Sequence, residues 1–257
     1  MTFTYFGVLL CFLVPLILLF FILDRIDAHQ GRRLDPQHYT GSAGLALLAH
    51  VIVAVVYTTP WDNYLVANRI WWYKPELVTG ITLGWVPIEE YTFFVLQTLL
   101  TGLWMLAWAR RLPGPATTAP SRIRLFMLIP TGLLWLISTG FLIAGVPQTL
   151  YMSILLTWAL PPILLQLAFG GDLLWRYRRL VTVGLLPPFL YLSLVDALAI
   201  SGGTWTINPA NTVGIHLGGV LPLEEFVFFF ITNVLIVFGM TLLLARESRN
   251  RLNFTKG

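Results

Sequence analysis

Apolar residues in this chain run on in seven long stretches, at 3–23, 41–57, 80–109, 125–145, 149–170, 181–200 and 213–245, with short polar connections between them. About 20 apolar residues suffice for a helix to cross the hydrocarbon of a bilayer. The pattern therefore predicts an all-α polytopic membrane protein with seven transmembrane helices. A charge inside such a run is costly and marks a functional site by default. Two runs carry charge in the same way: Pro87-Ile88-Glu89-Glu90-Tyr91-Thr92-Phe93-Phe94 and Pro222-Leu223-Glu224-Glu225-Phe226-Val227-Phe228-Phe229.

Aligning these motifs extends the match upstream. Asp62 falls opposite Asp196, Trp71 opposite Trp205, Pro75 opposite Pro209, Gly80 opposite Gly214 and Gly84 opposite Gly218, all at one spacing, and one extra residue then precedes the second motif. Fixed-spacing self-similarity is the signature of a repeat. Spans 1–3 and 5–7 form two three-helix halves, at 1–109 and 146–257, with a linker loop and fourth span at 110–145. Three spans per half would invert the second copy, and one additional span restores its direction. The halves are thus expected to run parallel, with a shared site at their interface. The breaker-rich segment from Pro113 to Pro120 marks the seam.

Composition agrees: 57% of residues are hydrophobic and 11% charged, a membrane profile. The net charge of +4 does not indicate a nucleic-acid partner, because 14 of the 16 basic residues fall in alternate connections and only Arg69 and Lys74 lie on the other side. The positive-inside rule then places the N-terminus outside and the C-terminus in the cytoplasm of a cell membrane. The first span has no basic residue before it and no small-residue cleavage site after it, so it is expected to be retained. The single cysteine, Cys11, reads as a small packing residue. His50 and His216 have no second ligand at useful spacing, so no metal is expected.

Residues four apart on a helix share a face, which sets Glu89 over Phe93, Glu90 over Phe94, Glu224 over Phe228 and Glu225 over Phe229. Apolar surroundings favour the neutral form of a carboxyl, and carboxyls beside aromatic faces suit a strong general acid. Proline followed by two acids is also an ordinary helix start that complements the macrodipole. That second reading would leave the glutamates at the outer surface, while a broken helix starting inside the membrane would satisfy both, since non-helical backbone is tolerated at depth where it lines a cavity. Asp62 and Asp196 read either as interfacial caps or as secondary members of the site. Trp61, Trp71, Trp72 and Tyr73 read most simply as an interfacial belt, while Trp71, Trp205, Phe93, Phe94, Phe228 and Phe229 could offer π faces to a cation. No dinucleotide fingerprint is present, no Asp-Asp-x-x-Asp cluster, and no lysine in the last span for a Schiff base.

At these residues the chain resembles the membrane-integral carotenoid cyclases, specifically the fused form of the heterodimeric-type lycopene cyclases. The resemblance covers nearly the whole chain, and Pro-x-Glu-Glu followed by an aromatic and Phe-Phe, found twice, is its specific element. The halves differ at Asn68-Arg69, where the second has Gly202-Gly203. The resemblance implies a cofactor-independent isomerisation of a linear polyene drawn from the bilayer. Protonation of a terminal double bond gives a carbocation, an internal double bond closes the ring, and a base removes a proton. It assigns the acid and base work to Glu89, Glu90, Glu224 and Glu225, with Asp62 and Asp196 secondary. A proton-coupled transporter and a carotenoid hydratase remain alternative readings of the same carboxyls.

Overall fold

A computed structural model describes residues 2–254. Its seven membrane-length helices are α1 (Tyr5–His29), α2 (Ala43–Ala67), α3 (Ile88–Ala109), α4 (Ile123–Ala144), α5 (Leu150–Arg176), α6 (Arg178–Gly202) and α7 (Leu223–Leu244). A short polar helix, α8 (Arg246–Phe254), follows. The shortest spans have 22 residues, about 33 Å at 1.5 Å per residue, enough for the hydrocarbon core. The chain is an all-α polytopic membrane protein.

Helices α3 and α7 form the centre, with 61% of the most apolar window of each buried, against 6% for α4, which lies at the periphery against α5. Polar side chains tie the central pair together. Gln97 Nε2 donates to Thr232 Oγ1 at 2.7 Å, and Thr101 Oγ1 donates to Asn233 Oδ1 at 2.5 Å, as polar groups do across helices in lipid. Interior prolines at Pro60, Pro130, Pro161, Pro162, Pro187 and Pro188 remove ladder hydrogen bonds. In α1, residues Leu9–Leu13 widen into a π turn, a distortion often found beside functional sites.

The largest departures from the apolar pattern are at three boundaries. The stretches 80–87 and 213–222 are non-helical: β2 (Thr82–Leu83) pairs with β3 (Val86–Pro87), and β5 (His216–Leu217) with β6 (Leu221–Pro222). Glycines at positive φ drive this, Gly80 and Gly84 in the first copy and Gly214, Gly218 and Gly219 in the second. The second turn has three residues where the first has two, which accommodates the extra residue before the second motif. Helix α2 runs ten residues past the expected end at 57, through Pro60, and so carries Asp62 inside the helix. Cys11 is exposed on the outer face of α1 rather than packed.

Helices α2 and α6 are each followed by a three-residue strand, β1 (Trp71–Tyr73) and β4 (Trp205–Ile207), and these two strands pair antiparallel. The register is Trp71 with Ile207, Trp72 with Thr206 and Tyr73 with Trp205. Exchanging each residue for its counterpart in the other half leaves this register unchanged, as in a self-complementary twofold contact.

The arginine-rich ends of the helices are pinned by ion pairs. Arg111 forks onto the fully buried Asp27 at 2.7 and 2.8 Å, Arg110 meets Asp24 at 2.5 Å, and Asp172 is held by Arg124 at 2.6 Å and by Arg251. At the same end Tyr177 donates to His38 O at 2.8 Å and Glu247 at 3.0 Å, and burial followed by the Glu247 charge pushes its phenol well up.

Candidate active site

The four glutamates lie in the first turns of α3 and α7, directly after Pro87 and Pro222 in extended conformation. They start helices, yet three of them are buried and Glu90 is half-buried. Glu89, Glu224 and Glu225 are 1%, 0% and 6% exposed, because the hairpins β2–β3 and β5–β6 precede the helix starts. Non-helical backbone at membrane depth is tolerated where it lines a cavity or is covered by protein.

Within each pair the two glutamates have different partners. The first members hold their own loops: Glu89 Oε1 accepts the Thr79 N–H at 2.6 Å, and Glu224 Oε1 accepts the Val213 N–H at 2.7 Å. Thr79 and Val213 are counterparts in the repeat register. The second members are held by phenols instead. Glu90 Oε2 accepts from Tyr5 Oη at 2.7 Å and Tyr73 Oη at 2.8 Å, while Glu225 Oε1 accepts from Tyr151 Oη at 2.6 Å. Tyr5 and Tyr151 occupy the first helix of their respective halves. The counterpart of Tyr73 in the repeat register is Ile207, which has no hydroxyl, so Glu90 has one more donor than Glu225.

Glu90, Glu225 and Asp196 line one cavity of about 50 Å³, walled by Trp61, Trp71, Trp205, Phe93, Phe228 and Phe229 together with the three tyrosines. Asp196 Oδ1 accepts from Trp205 Nε1 at 2.8 Å; in the other half Trp71 Nε1 instead donates to Tyr73 Oη at 3.1 Å. Asp62 is fully buried with neither carboxyl oxygen hydrogen-bonded, and it lies within electrostatic reach of both Glu90 and Glu225. No lysine, arginine or histidine is among the lining residues. Tyr73, in the loop after α2, has its phenol well above the usual tyrosine range, first from burial and then from the Glu90 charge.

The sequence-derived residues thus divide. Glu90, Glu225, Asp196, Trp71, Trp205, Phe93, Phe228 and Phe229 meet at the cavity; Glu89 and Glu224 sit behind it against the loops; Asp62 is adjacent. Phe94 is buried but lines a neighbouring groove. Of the residues read as an interfacial belt, Trp61, Trp71 and Tyr73 wall the cavity instead, whereas Trp72 remains 38% exposed. Trp61 belongs to a stack of rings that sequence reading missed. It lies 4.4 Å from Trp158 at 19° and 5.8 Å from Phe228 at 1°, with Tyr57 5.3 Å beyond Trp158. Trp158, Tyr5 and Tyr151 carried no motif signal; their apolar surroundings resembled any span.

Comparison with known proteins gives the same direction. The chain matches the family model described as lycopene cyclase over residues 2–108 and 148–243, two stretches that flank α4. It is 41% identical over 78% of its length to a lycopene beta-cyclase of Halobacterium salinarum, of which it covers 82%. It is 38% identical over 74% of its length to a bifunctional lycopene cyclase/phytoene synthase of Podospora anserina, and 36% identical over 74% to one of Aspergillus oryzae, covering 33% of each. No solved structure matches. With its repeated buried glutamates in a seven-helix membrane fold, the chain belongs to the lycopene cyclase family.

Proposed function

We propose that this chain closes a terminal ring on lycopene by acid and base chemistry alone. The observation that carries the reading is the meeting of Glu90 and Glu225, one from each half, in a single aromatic cavity with no basic residue in its lining. Carboxyls this close, with no cation opposite, avoid mutual repulsion by sharing protons. Glu225, with one phenolic donor, is assigned as the acid. Glu90, whose two donors stabilise a carboxylate, is assigned as the base. A proton from Glu225 adds to the terminal double bond and leaves a tertiary carbocation. An internal double bond supplies its electron pair to that carbon and closes a six-membered ring. Glu90 then removes a proton, restoring a double bond, so the hydrogen count is unchanged.

The remaining residues serve the cation. The faces of Trp61, Trp71, Phe93 and Phe228 present negative quadrupole to it, and Asp62 and Asp196 add carboxyl oxygens nearby. A cavity of about 50 Å³ holds only a few water molecules, which limits capture of the cation by water. Glu89 and Glu224 act by holding the loops in place. The substrate, a hydrophobic polyene, enters from the bilayer. The names of the Halobacterium relatives support a β-type ring.

The same reading places the N-terminus outside and the C-terminus in the cytoplasm, supported by the basic residues gathered at alternate connections. It treats 1–109 and 146–257 as parallel halves about an axis along the membrane normal, joined by 110–145, supported by the exchange-invariant pairing of β1 with β4. Expression in a lycopene-accumulating host with chromatographic and spectral analysis of pigments tests the activity. Cyclised carotenoid is the expected product; unchanged lycopene beside folded, membrane-integrated protein would contradict it.

A further inference from the structure

Beside the acid cavity, across the shared wall of Phe228, lies space that the chemistry of ring closure does not use. Phe228 lines both the cavity and a groove of about 310 Å³ between α2, α5 and α7, and Gln166 and Leu243 line both that groove and a third space of about 520 Å³ near α8. The three form one line along α7, and from Phe228 to Leu243 the helix rises about 22 Å. Added to the acid cavity, this is most of the roughly 30 Å thickness of a bilayer core. The groove is walled mostly by aromatic and aliphatic side chains, interspersed with His50, Thr58, Gln97, Thr98, Gln166 and Thr232, and Val53 and Leu243, exposed at 61% and 56%, open it toward lipid.

His50, Gln166 and Gly239 meet at the junction, or waist, between the groove and the third space. A Cβ at Gly239 would collide with His50 Nε2 and lie 3.1 Å from Gln166 Nε2. Both polar side chains are fixed in place. His50 Nδ1 lies 2.7 Å from Ala46 O, which requires the proton on that nitrogen, and Gln166 Nε2 donates to Leu235 O at 3.0 Å. That carbonyl also sets the amide orientation, since the flipped form would face oxygen to oxygen. Pinned side chains make the waist a fixed aperture.

Resting on the reading of the preceding section, we propose that this line is the track for the uncyclised remainder of the polyene. The waist at His50, Gln166 and Gly239 then determines whether a full-length chain can lie in it. A chain with its terminal double bond at Glu225 extends along α7 past Thr232 and Leu235, and only the part beyond mid-membrane meets the waist. An acyclic polyene of roughly half the length ends before it.

The test compares the full-length acyclic carotenoid with a half-length acyclic polyene bearing the same end group, using the purified full chain in lipid nanodiscs. Gly239→Val drives His50 into the aperture, and Gln166→Phe fills it from α5; unchanged thermal transitions identify folded variants. In either variant the ratio of kcat/KM for the long chain to that for the short chain is expected to fall at least tenfold relative to wild type. A ratio unchanged within twofold in the folded variants, because both chains suffer equally or neither does, overturns the track. A wild-type protein that converts neither chain refutes ring closure itself, which is a different result.

Discussion

Tyr73→Phe removes one of the two phenols that hold Glu90 and leaves the ring in place. The bond is 2.8 Å long and ends on a carboxyl oxygen that also accepts from Tyr5 at 2.7 Å. Hydrogen bonds to charged groups contribute about 1.5–3 kcal/mol, and each 1.4 kcal/mol is a factor of ten, so the full bond corresponds to roughly 10–100-fold. Tyr5 remains as a donor, which places the expected loss in kcat toward the lower end, about tenfold. KM should stay within about twofold, because the lost hydroxyl points at Glu90 rather than at the polyene. Trp71 Nε1 also loses its acceptor at 3.1 Å, so a modest fall in thermal stability accompanies the change. Tyr5→Phe should lower kcat by a similar factor, and the double variant by more than either. Steady-state cyclisation by purified protein in nanodiscs supplies the numbers. A folded Tyr73→Phe protein with unchanged kcat, or with a tenfold higher KM at normal kcat, refutes the idea that these phenols poise Glu90 for proton transfer.

Glu90→Gln and Glu225→Gln keep shape but cannot exchange a proton; each should reduce ring formation by 10²–10⁴-fold in pigment assays while the protein remains in the membrane, and turnover near wild type in either removes that residue from the mechanism. Glu89→Gln and Glu224→Gln retain an acceptor for the Thr79 and Val213 N–H groups and should lose less than tenfold, whereas Glu89→Ala or Glu224→Ala should cost about 1–3 kcal/mol of stability in thermal unfolding; a Gln variant as inactive as Glu90→Gln would make the first glutamates chemical participants. Burial, followed by the charges of Asp35 and Glu247, pushes the Tyr39 phenol up to about 12, against about 10 in an unfolded chain. The fold retains a proton that the unfolded chain releases, so this contribution is fully present below about pH 10 and is lost as pH rises through about 12. Thermal unfolding between those values should show the decline, less steeply in Tyr39→Phe, and identical curves would contradict the assignment.

The seven spans were legible because uninterrupted apolar length is a strong signal, and the paired motifs stood out because Asp62, Trp71, Gly80 and Gly84 have counterparts at one spacing. Apolarity alone, however, does not separate a helix from a covered hairpin, so 80–87 and 213–222 read as helix; the glycines that reverse the chain there were the available clue. Pairing of Glu90 with Tyr5 and of Glu225 with Tyr151 was not legible, since those contacts span 85 and 74 residues. Nor could the motif distinguish the loop-holding glutamate from its neighbour: adjacent residues point about 100° apart, and only the folded hairpins show which side faces the cavity. Trp61 read as belt because its place near a span end suggested an interface. The longer α2 and its stack on Trp158 and Phe228 put it inside.

The central claim is that a ring closes because a carboxyl of this chain delivers a solvent-derived proton to carbon and a second group removes a different one. Mass analysis of the product formed by purified protein in D₂O tests it most directly. Each ring formed should carry one deuterium, with no oxygen gained. Cyclised product without deuterium, or product that has gained the mass of water, would contradict the account.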